Sequence, residues 1–496
     1  MSEQQTEYRQ IVKATSIFGG VQVVNILISL IRGKFVAILI GPAGMGIFGM
    51  LTSVASLFGA LTNFGIGTSA VKDIAEANAG EDKTKIESVT AAFRKLVWIT
   101  GILGAILLIV LSPWVSQITF GNRNYTISII WVSITLLFAQ LTSGNIVLLQ
   151  GLRKLKELAK ANVYGSIIGL FITVPLYYYF GKDGIVPAIL LTSFSTLVIS
   201  IYFGKKININ NIKIPMKTAF IEGKSMLIMG FVLSINGLVL MGTSYLVKIF
   251  ILNIGSIEDV GFYNAGFAIV NGYVGMIFTA MLTDYYPRLS SVANDNKLCI
   301  QTVNQQADIA ILILAPIIII FNILIQVIVI ILLSSKFLAI TDMIRWAMLG
   351  VFFKAASWPV GFIFVPKGNS RLFLFSELTA NAYMLLFNIL GYKYFGLQGM
   401  GISFLISFIV YLIQVYFLAK IKYHFSFTPS FYRIFIFQLS IAIVSFIIAK
   451  FMKGISLYSI GIILITISLI YSYIELDKRL NLKSLILSLK QTGKIK

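Results

Sequence analysis

The sequence predicts an all-α polytopic membrane protein of about 14 transmembrane helices, built as two pseudo-symmetric six-helix lobes around a central cleft plus two C-terminal helices. Composition, the spacing of apolar runs and an internal repeat predict it. Of 496 residues, 57% are hydrophobic and 12% charged, and the mean hydropathy is +0.89. Soluble domains carry about 25% charged residues, so water is not the principal solvent of this chain. A spanning helix needs about 20 apolar residues. Such runs start near Ala14, Met45, Phe93, Thr126, Asn162, Gly184, Ser225, Gly261, Ala307, Ile344, Phe373, Gly399, Arg433 and Ile455. The connections are short and rich in turn residues, as in GPAG at 41–44, FGKDG at 180–184 and FGLQG at 395–399. No room remains for a soluble domain.

The opening residues, MSEQQTEYRQIVKATS, are polar and mixed in charge. A cleaved signal would instead be basic and followed by a short apolar core, so the N-terminus is expected to stay in the mature protein. Cys299 is the single cysteine, which excludes a disulfide framework and a cysteine-based metal site. The large majority of the 40 basic residues fall in one alternating set of loops and in the termini. Translocated loops are poor in Lys and Arg, so both termini are expected in the cytoplasm. The net charge of +21 follows from that topology and from attraction to an anionic inner leaflet. Nucleic acid is not an expected partner.

YFGKDG at 179–184 recurs as YFGLQG at 394–399, an offset of 215 residues, and MGIFG at 45–49 falls on VGFYN at 260–264 with the same shift. The shared shift predicts an N-terminal lobe over 1–215 and a parallel second lobe over 216–430. Two additional helices and a basic tail then occupy 431–496. Transporters built from such repeats bind their cargo at the repeat interface.

Within the first helix, SLIRGKFVAILIGPAG places Arg32 and Lys34 in an otherwise apolar run. A charge at mid-bilayer costs about 2.5–3.5 kcal/mol even on lenient insertion scales, and such residues mark functional sites. Lys34 stands seven residues before Gly41 and Lys248 seven before Gly255, so the two lysines are repeat mates able to hold an anionic headgroup. Snorkelling to the outer interface is the competing reading. Arg32 and Lys34 differ by about 200° around a helix, so they do not share a face unless Gly33 bends the chain or Arg32 turns into the N-terminal lobe. Lys354, beside Pro359, is a further intramembrane cation. Arg153, Arg288 and Arg371, at cytoplasmic helix ends, are topological anchors or headgroup contacts. Asn25, Asn63, Gln140, Asn145, Asn236, Asn271 and Asn381 can line the path of a polar cargo or bond neighbouring helices. Tyr285 and Tyr286 can stack on the rings of a cargo or, more commonly for tyrosine, belong to an interfacial aromatic belt.

No phosphate-binding lysine loop, catalytic triad or metal spacing is present in the sequence, so no enzyme, no cofactor and no metal are expected. ATP hydrolysis is not the drive. Membrane potential or an ion gradient remains, with Glu377 and Asp308 as candidates for ion coupling. Polysaccharide polymerases and ligases need a large periplasmic loop that these short connections do not supply.

GKFVAILIGPAGMGIFG, with ILLSSKF (331–337) and the block RWAMLGVFFKAASWPVGFIFVPKGNSRLFLFSEL (345–378), resembles the Wzx-type lipid-linked oligosaccharide flippases of the multidrug/oligosaccharidyl-lipid/polysaccharide (MOP) exporter superfamily. The block is most similar to the O-antigen and enterobacterial-common-antigen members. The resemblance implies a flippase moving an undecaprenyl-pyrophosphate-linked oligosaccharide to the outer leaflet of a bacterial inner membrane by alternating access. It implies a place in lipopolysaccharide biosynthesis, with membrane lipids, a polysaccharide polymerase and chain-length machinery as partners. Lys34 matches a lysine seen before GPAG in that family, and Arg32 falls where the related lipid II flippases have a helix-1 arginine. Many Wzx proteins stop at twelve helices, whereas lipid II flippases have fourteen. A lipid II flippase is therefore the alternative, and a cation or drug antiporter of the superfamily a further one, although antiporters want more buried carboxylates.

Overall fold

The computed structural model of the chain describes residues 3–80, 83–206, 212 and 214–480. The basic tail beyond Leu480, the side chains of the first twenty residues and that of Asn236 lie outside the described residues. In order, the helices are α1 (Glu3–Thr62), α2 (Ile66–Ala79), α3 (Lys83–Phe120), α4 (Thr126–Gly151), α5 (Leu155–Phe180), α6 (Ile185–Gly204), α7 (Met216–Glu222) and α8 (Lys224–Ile254). They continue as α9 (Ile257–Phe267), α10 (Gly275–Ser291), α11 (Asn296–Leu332), α12 (Thr341–Gly361), α13 (Ser370–Tyr423), α14 (Pro429–Phe451) and α15 (Ile455–Leu480). Among the described residues, eleven helical segments are long and apolar enough to cross a membrane. Three of these divide, α1 at Gly41, Leu155–Gly204 at the 3-10 turn Gly181–Gly184, and α13 at Gly396. The result is fourteen apolar helical segments, the number expected.

The 215-residue repeat is written into backbone geometry. Gly181 (φ 53°, ψ −125°) and Gly396 (φ 57°, ψ −141°) turn the chain in the same left-handed way, a conformation glycine adopts without steric cost. Just after each turn a glycine carries the return helix against its predecessor. A Cβ on Gly184 would lie 2.5 Å from the Leu176 carbonyl oxygen, and one on Gly399 1.8 Å from that of Gly391. The α4–α5 and α12–α13 turns match as well. Arg153 (φ 54°) corresponds to Gly368 (φ 71°). The next amides donate equivalently, Lys154 to the Leu149 carbonyl at 2.8 Å and Asn369 to the Phe364 carbonyl at 2.9 Å.

The described chain forms two compact units, Met1–Gly261 with Leu332–Ser334, and Phe262–Ile331 with Ser335–Lys496. In the first, α3 packs on α4, α5 on α6 and α1, and α8 on α1 and α2. At one crossing of this unit the repeat mates Gly46 and Gly261 meet. A Cβ on Gly46 would lie 2.0 Å from the Ile257 carbonyl oxygen, and one on Gly261 1.9 Å from that of Pro42. The core is Leu51, Leu108, Val132 and Ile185 at one end and Ile74, Phe93, Leu96 and Leu148 at the other.

Helix α3 shows how the bilayer sets the pattern. Trp98, Ile106, Val110, Trp114 and Ile118 are exposed, while Thr100, Gly104, Ser112 and Ser116 are buried. Lipid is as apolar as leucine, so helices associate through small and weakly polar faces. In the second unit α12 packs along α13, and α14 packs on α15 and α12. The two added helices are tied by hydrogen bonds, from Asn322 of α11 to Ser445 of α14 (3.2 Å) and from Gln438 of α14 to Ser472 of α15 (2.9 Å).

Candidate functional site

Helix α8 carries Lys248 against the part of α1 that follows Gly41. Its ammonium donates to the Ser53 hydroxyl at 2.7 Å, and Ser53 donates onward to the Gly49 carbonyl at 2.6 Å. Among the described residues no carboxylate pairs with Lys248. One neutral oxygen therefore satisfies one of three N–H donors, which leaves this half-buried cation able to receive an anionic oxygen.

Arg32 has turned into the first unit. It lines a cavity of about 220 Å³ with Asn162, Gly165, Ser166, Thr192 and Thr196. Gly165 and Gly169 of α5 make the room, because a Cβ on Gly169 would lie 3.3 Å from a guanidinium nitrogen of Arg32. Among the described residues no carboxylate lines the cavity, and the buried hydroxyl oxygens of Thr142 and Thr192 on its walls find no hydrogen-bond partner there. At about 30 Å³ per water, the space admits a phosphate-sized anion and excludes an oligosaccharide. Lys34 lies on another face of α1, about 200° from Arg32. Counted from the segments that follow, Lys34 precedes Pro42 by eight residues and Lys248 precedes Ile257 by nine, so the paired lysines differ by about 100° of helix.

In the second unit Lys354 of α12 lies over the rings of Phe278 (5.1 Å) and Phe408 (5.4 Å). Ring faces attract the ammonium, and among the described residues no carboxylate pairs with it. Glu377 of α13 accepts a hydrogen bond from the Tyr411 hydroxyl at 2.7 Å. Asp308, 6% exposed, pairs with Arg479 of α15 at 3.3 Å. Arg479 also pairs with Glu475 at 2.6 Å, so Asp308 sits in a charge cluster that fastens α15 to α11.

The three helix-end arginines separate. Arg288 is held by Gln306 (3.0 Å) and Asp284 (3.7 Å), while Arg153 and Arg371 are exposed. Tyr285 is fully buried and donates to the Pro359 carbonyl at 2.7 Å, so it does not stack on sugars. Tyr286 is 39% exposed and keeps that option. Asn63 and Gln140 line a cavity of about 460 Å³ in the first unit, although Gln140 also donates to Thr100 at 2.9 Å. Asn145 bonds Ser200 at 3.1 Å, bridging α4 and α6. Asn271 is exposed on the π-helical stretch Ala268–Val274, a distortion frequent at functional sites. Sequence reasoning missed Ser53, Thr142, Thr192 and Tyr411, since a hydroxyl in a spanning helix carries no periodic signal. No group of metal-binding side chains occurs among the described residues.

Comparison with known proteins gives a consistent setting. The lipid III flippases of Escherichia coli (strain K12) and Shigella flexneri are each 21% identical over 399 residues, covering 78% of this chain and 93% of theirs. The lipid II flippase MurJ in its inward closed conformation has the same fold, with a TM-score of 0.70 at 12% identity, over 95% of this chain and 99% of that one. An inward-facing multidrug resistance MATE family transporter of the MOP superfamily gives a TM-score of 0.65 at 15% identity, over 81% and 94%. These relatives are flippases and transporters rather than enzymes. A family model described as polysaccharide biosynthesis protein matches residues 35–342, more than half of the chain, and this multi-pass membrane protein therefore belongs to the polysaccharide biosynthesis protein family.

Proposed function

We propose that this chain is a flippase of the MOP superfamily that carries an undecaprenyl-pyrophosphate-linked oligosaccharide across a bacterial inner membrane by alternating access, with both termini cytoplasmic. Lys248 carries the reading. An intramembrane ammonium whose described polar contact is one hydroxyl is expensive to keep unless something anionic visits it. A pyrophosphate presents several anionic oxygens, suited to lysine point charges and to the fork of an arginine. Lys34 and Lys248 are the proposed pyrophosphate ligands, Arg32 and Lys354 further headgroup cations, and Arg153 and Arg371 capture residues at the cytoplasmic face. The family and the lipid III flippase relatives support a glycan cargo, and the sequence resemblance to Wzx proteins favours an O-antigen-like repeat unit.

One observation favours a second reading, lipid II as cargo. The likeness to MurJ extends over 95% of the chain, against 81% for the MATE transporter, so it takes in most of the two added helices. Proteoliposomes loaded with labelled lipid-linked oligosaccharide, lipid II or a cationic dye separate the readings. Movement of the oligosaccharide alone supports the first, movement of lipid II the second. Export of the dye with neither lipid moving removes both.

A further inference from the structure

On the outward flank of α5 and α6, away from every residue assigned above, a groove of about 510 Å³ has Lys160 and Lys206 on its rim. Its walls are Tyr164, Ile168, Val198 and Tyr202, which are 51%, 37%, 48% and 60% exposed. Lys160 sits in the second turn of α5, which starts at Leu155, and Lys206 follows the end of α6 at Gly204. The rim thus lies at one membrane surface, the cytoplasmic one by the distribution of basic residues. Lys206 is held over the rings of Tyr202 (5.0 Å) and Phe203 (5.2 Å). Neither lysine forms an ion pair among the described residues, although Glu157 is three positions from Lys160.

We infer that this groove is a binding site for an anionic phospholipid of the cytoplasmic leaflet, the two lysines taking the phosphate and the aliphatic floor the first methylenes of an acyl chain. Polar surface on a soluble partner does not suit walls that face hydrocarbon, and a zwitterionic lipid gains little from two unneutralised cations. Basic pockets between spanning helices on the cytoplasmic side suit anionic headgroups, each lysine near the surface contributing attraction that salt screens. At about 30 Å³ per water, the groove holds roughly seventeen waters, enough for a phosphoglycerol headgroup and the start of a chain. Tyr164 and Tyr202, each four positions from one of the two lysines, suit the headgroup level, where tyrosines are enriched.

The test is native mass spectrometry of the purified full chain in detergent with added dioleoyl phosphatidylglycerol or dioleoyl phosphatidylethanolamine. The wild type is expected to retain phosphatidylglycerol preferentially, and Lys160→Gln with Lys206→Gln to lower its affinity at least tenfold. An unchanged melting temperature of the lipid-free variant checks its fold. Ile168→Trp adds a local reading, its fluorescence being quenched by brominated phosphatidylglycerol more than by brominated phosphatidylethanolamine. Equal retention of the two lipids by the wild type, an undiminished preference in the double variant, or equal quenching by both brominated lipids would overturn the inference.

Discussion

Gly261 is a residue whose replacement the structure penalises by sterics alone. A Cβ there would meet the Pro42 carbonyl oxygen at 1.9 Å, its carbon at 2.7 Å and the Gly46 nitrogen at 3.0 Å. All three are backbone atoms, which no rotamer change can clear. The segments must separate by more than 1 Å, which strips contact from both. Overpacking a tight contact costs about 1–3 kcal/mol, and here the upper end is expected for Gly261→Ala. Gly41 offers a contrast, having nothing within 4 Å of the added Cβ, so Gly41→Ala should cost only the backbone strain of its φ 64°, ψ −171° conformation, a region essentially restricted to glycine, of about 1–3 kcal/mol. Helical Gly242 has open space, and Gly242→Ala should gain up to about 1 kcal/mol. Thermal melting of the purified variants in one detergent ranks them. A melting temperature for Gly261→Ala equal to that of Gly242→Ala would refute the close crossing.

Arg153 holds a left-handed conformation where its repeat mate is Gly368. Arg153→Gly is expected to raise the melting temperature while lowering transport, and a variant that gains stability with full transport would leave Arg153 without a role in capture. Asp73, on the short helix α2, has its carboxyl pushed above the ordinary 3.8 by burial and then by Glu76, with Lys72 acting in the opposite sense. A folded-state value above the unfolded one means the ionised carboxylate weakens the fold at neutral pH, and that this cost fades as pH falls through the raised value. Asp73→Asn should therefore be more stable than wild type at pH 7 and equal to it once both states are protonated, below 3.8. Melting curves at several pH values check the trend.

The bilayer made most of the fold legible, because apolar length and turn glycines are local signals. Gly181 and Gly396 were visible in the repeated YFG motif, and their shared backbone angles explain why the motif recurs. Helix α2 falls outside every apolar run long enough to span a membrane, since it has only 14 residues. Yet Ile66, Ala70, Ile74 and Ala77 recur at helical spacing and are all buried, so the amphipathic period was there to find. The candidate site was legible as residue types but not as directions. Arg32 and Lys34 were recognisable as intramembrane cations, whereas the turn of Arg32 into the first unit depends on Gly165 and Gly169, more than a hundred residues away. Asp308 stood out as a carboxylate near a span, but its partner Arg479 lies 171 positions on, and no local pattern announces such a pair.

Flipping by purified protein carrying Lys248→Met, reconstituted beside wild type in proteoliposomes at equal protein content, tests the central claim most directly. The labelled cargo is undecaprenyl-pyrophosphate-linked oligosaccharide, followed by its accessibility to an impermeant enzyme. A hydrogen bond to a charged group contributes about 1.5–3 kcal/mol, so the rate is expected to fall roughly ten- to hundred-fold, with partial recovery in Lys248→Arg because the charge is kept. A Lys248→Met protein that flips the glycan lipid at the wild-type rate would show that this ammonium does not hold the pyrophosphate.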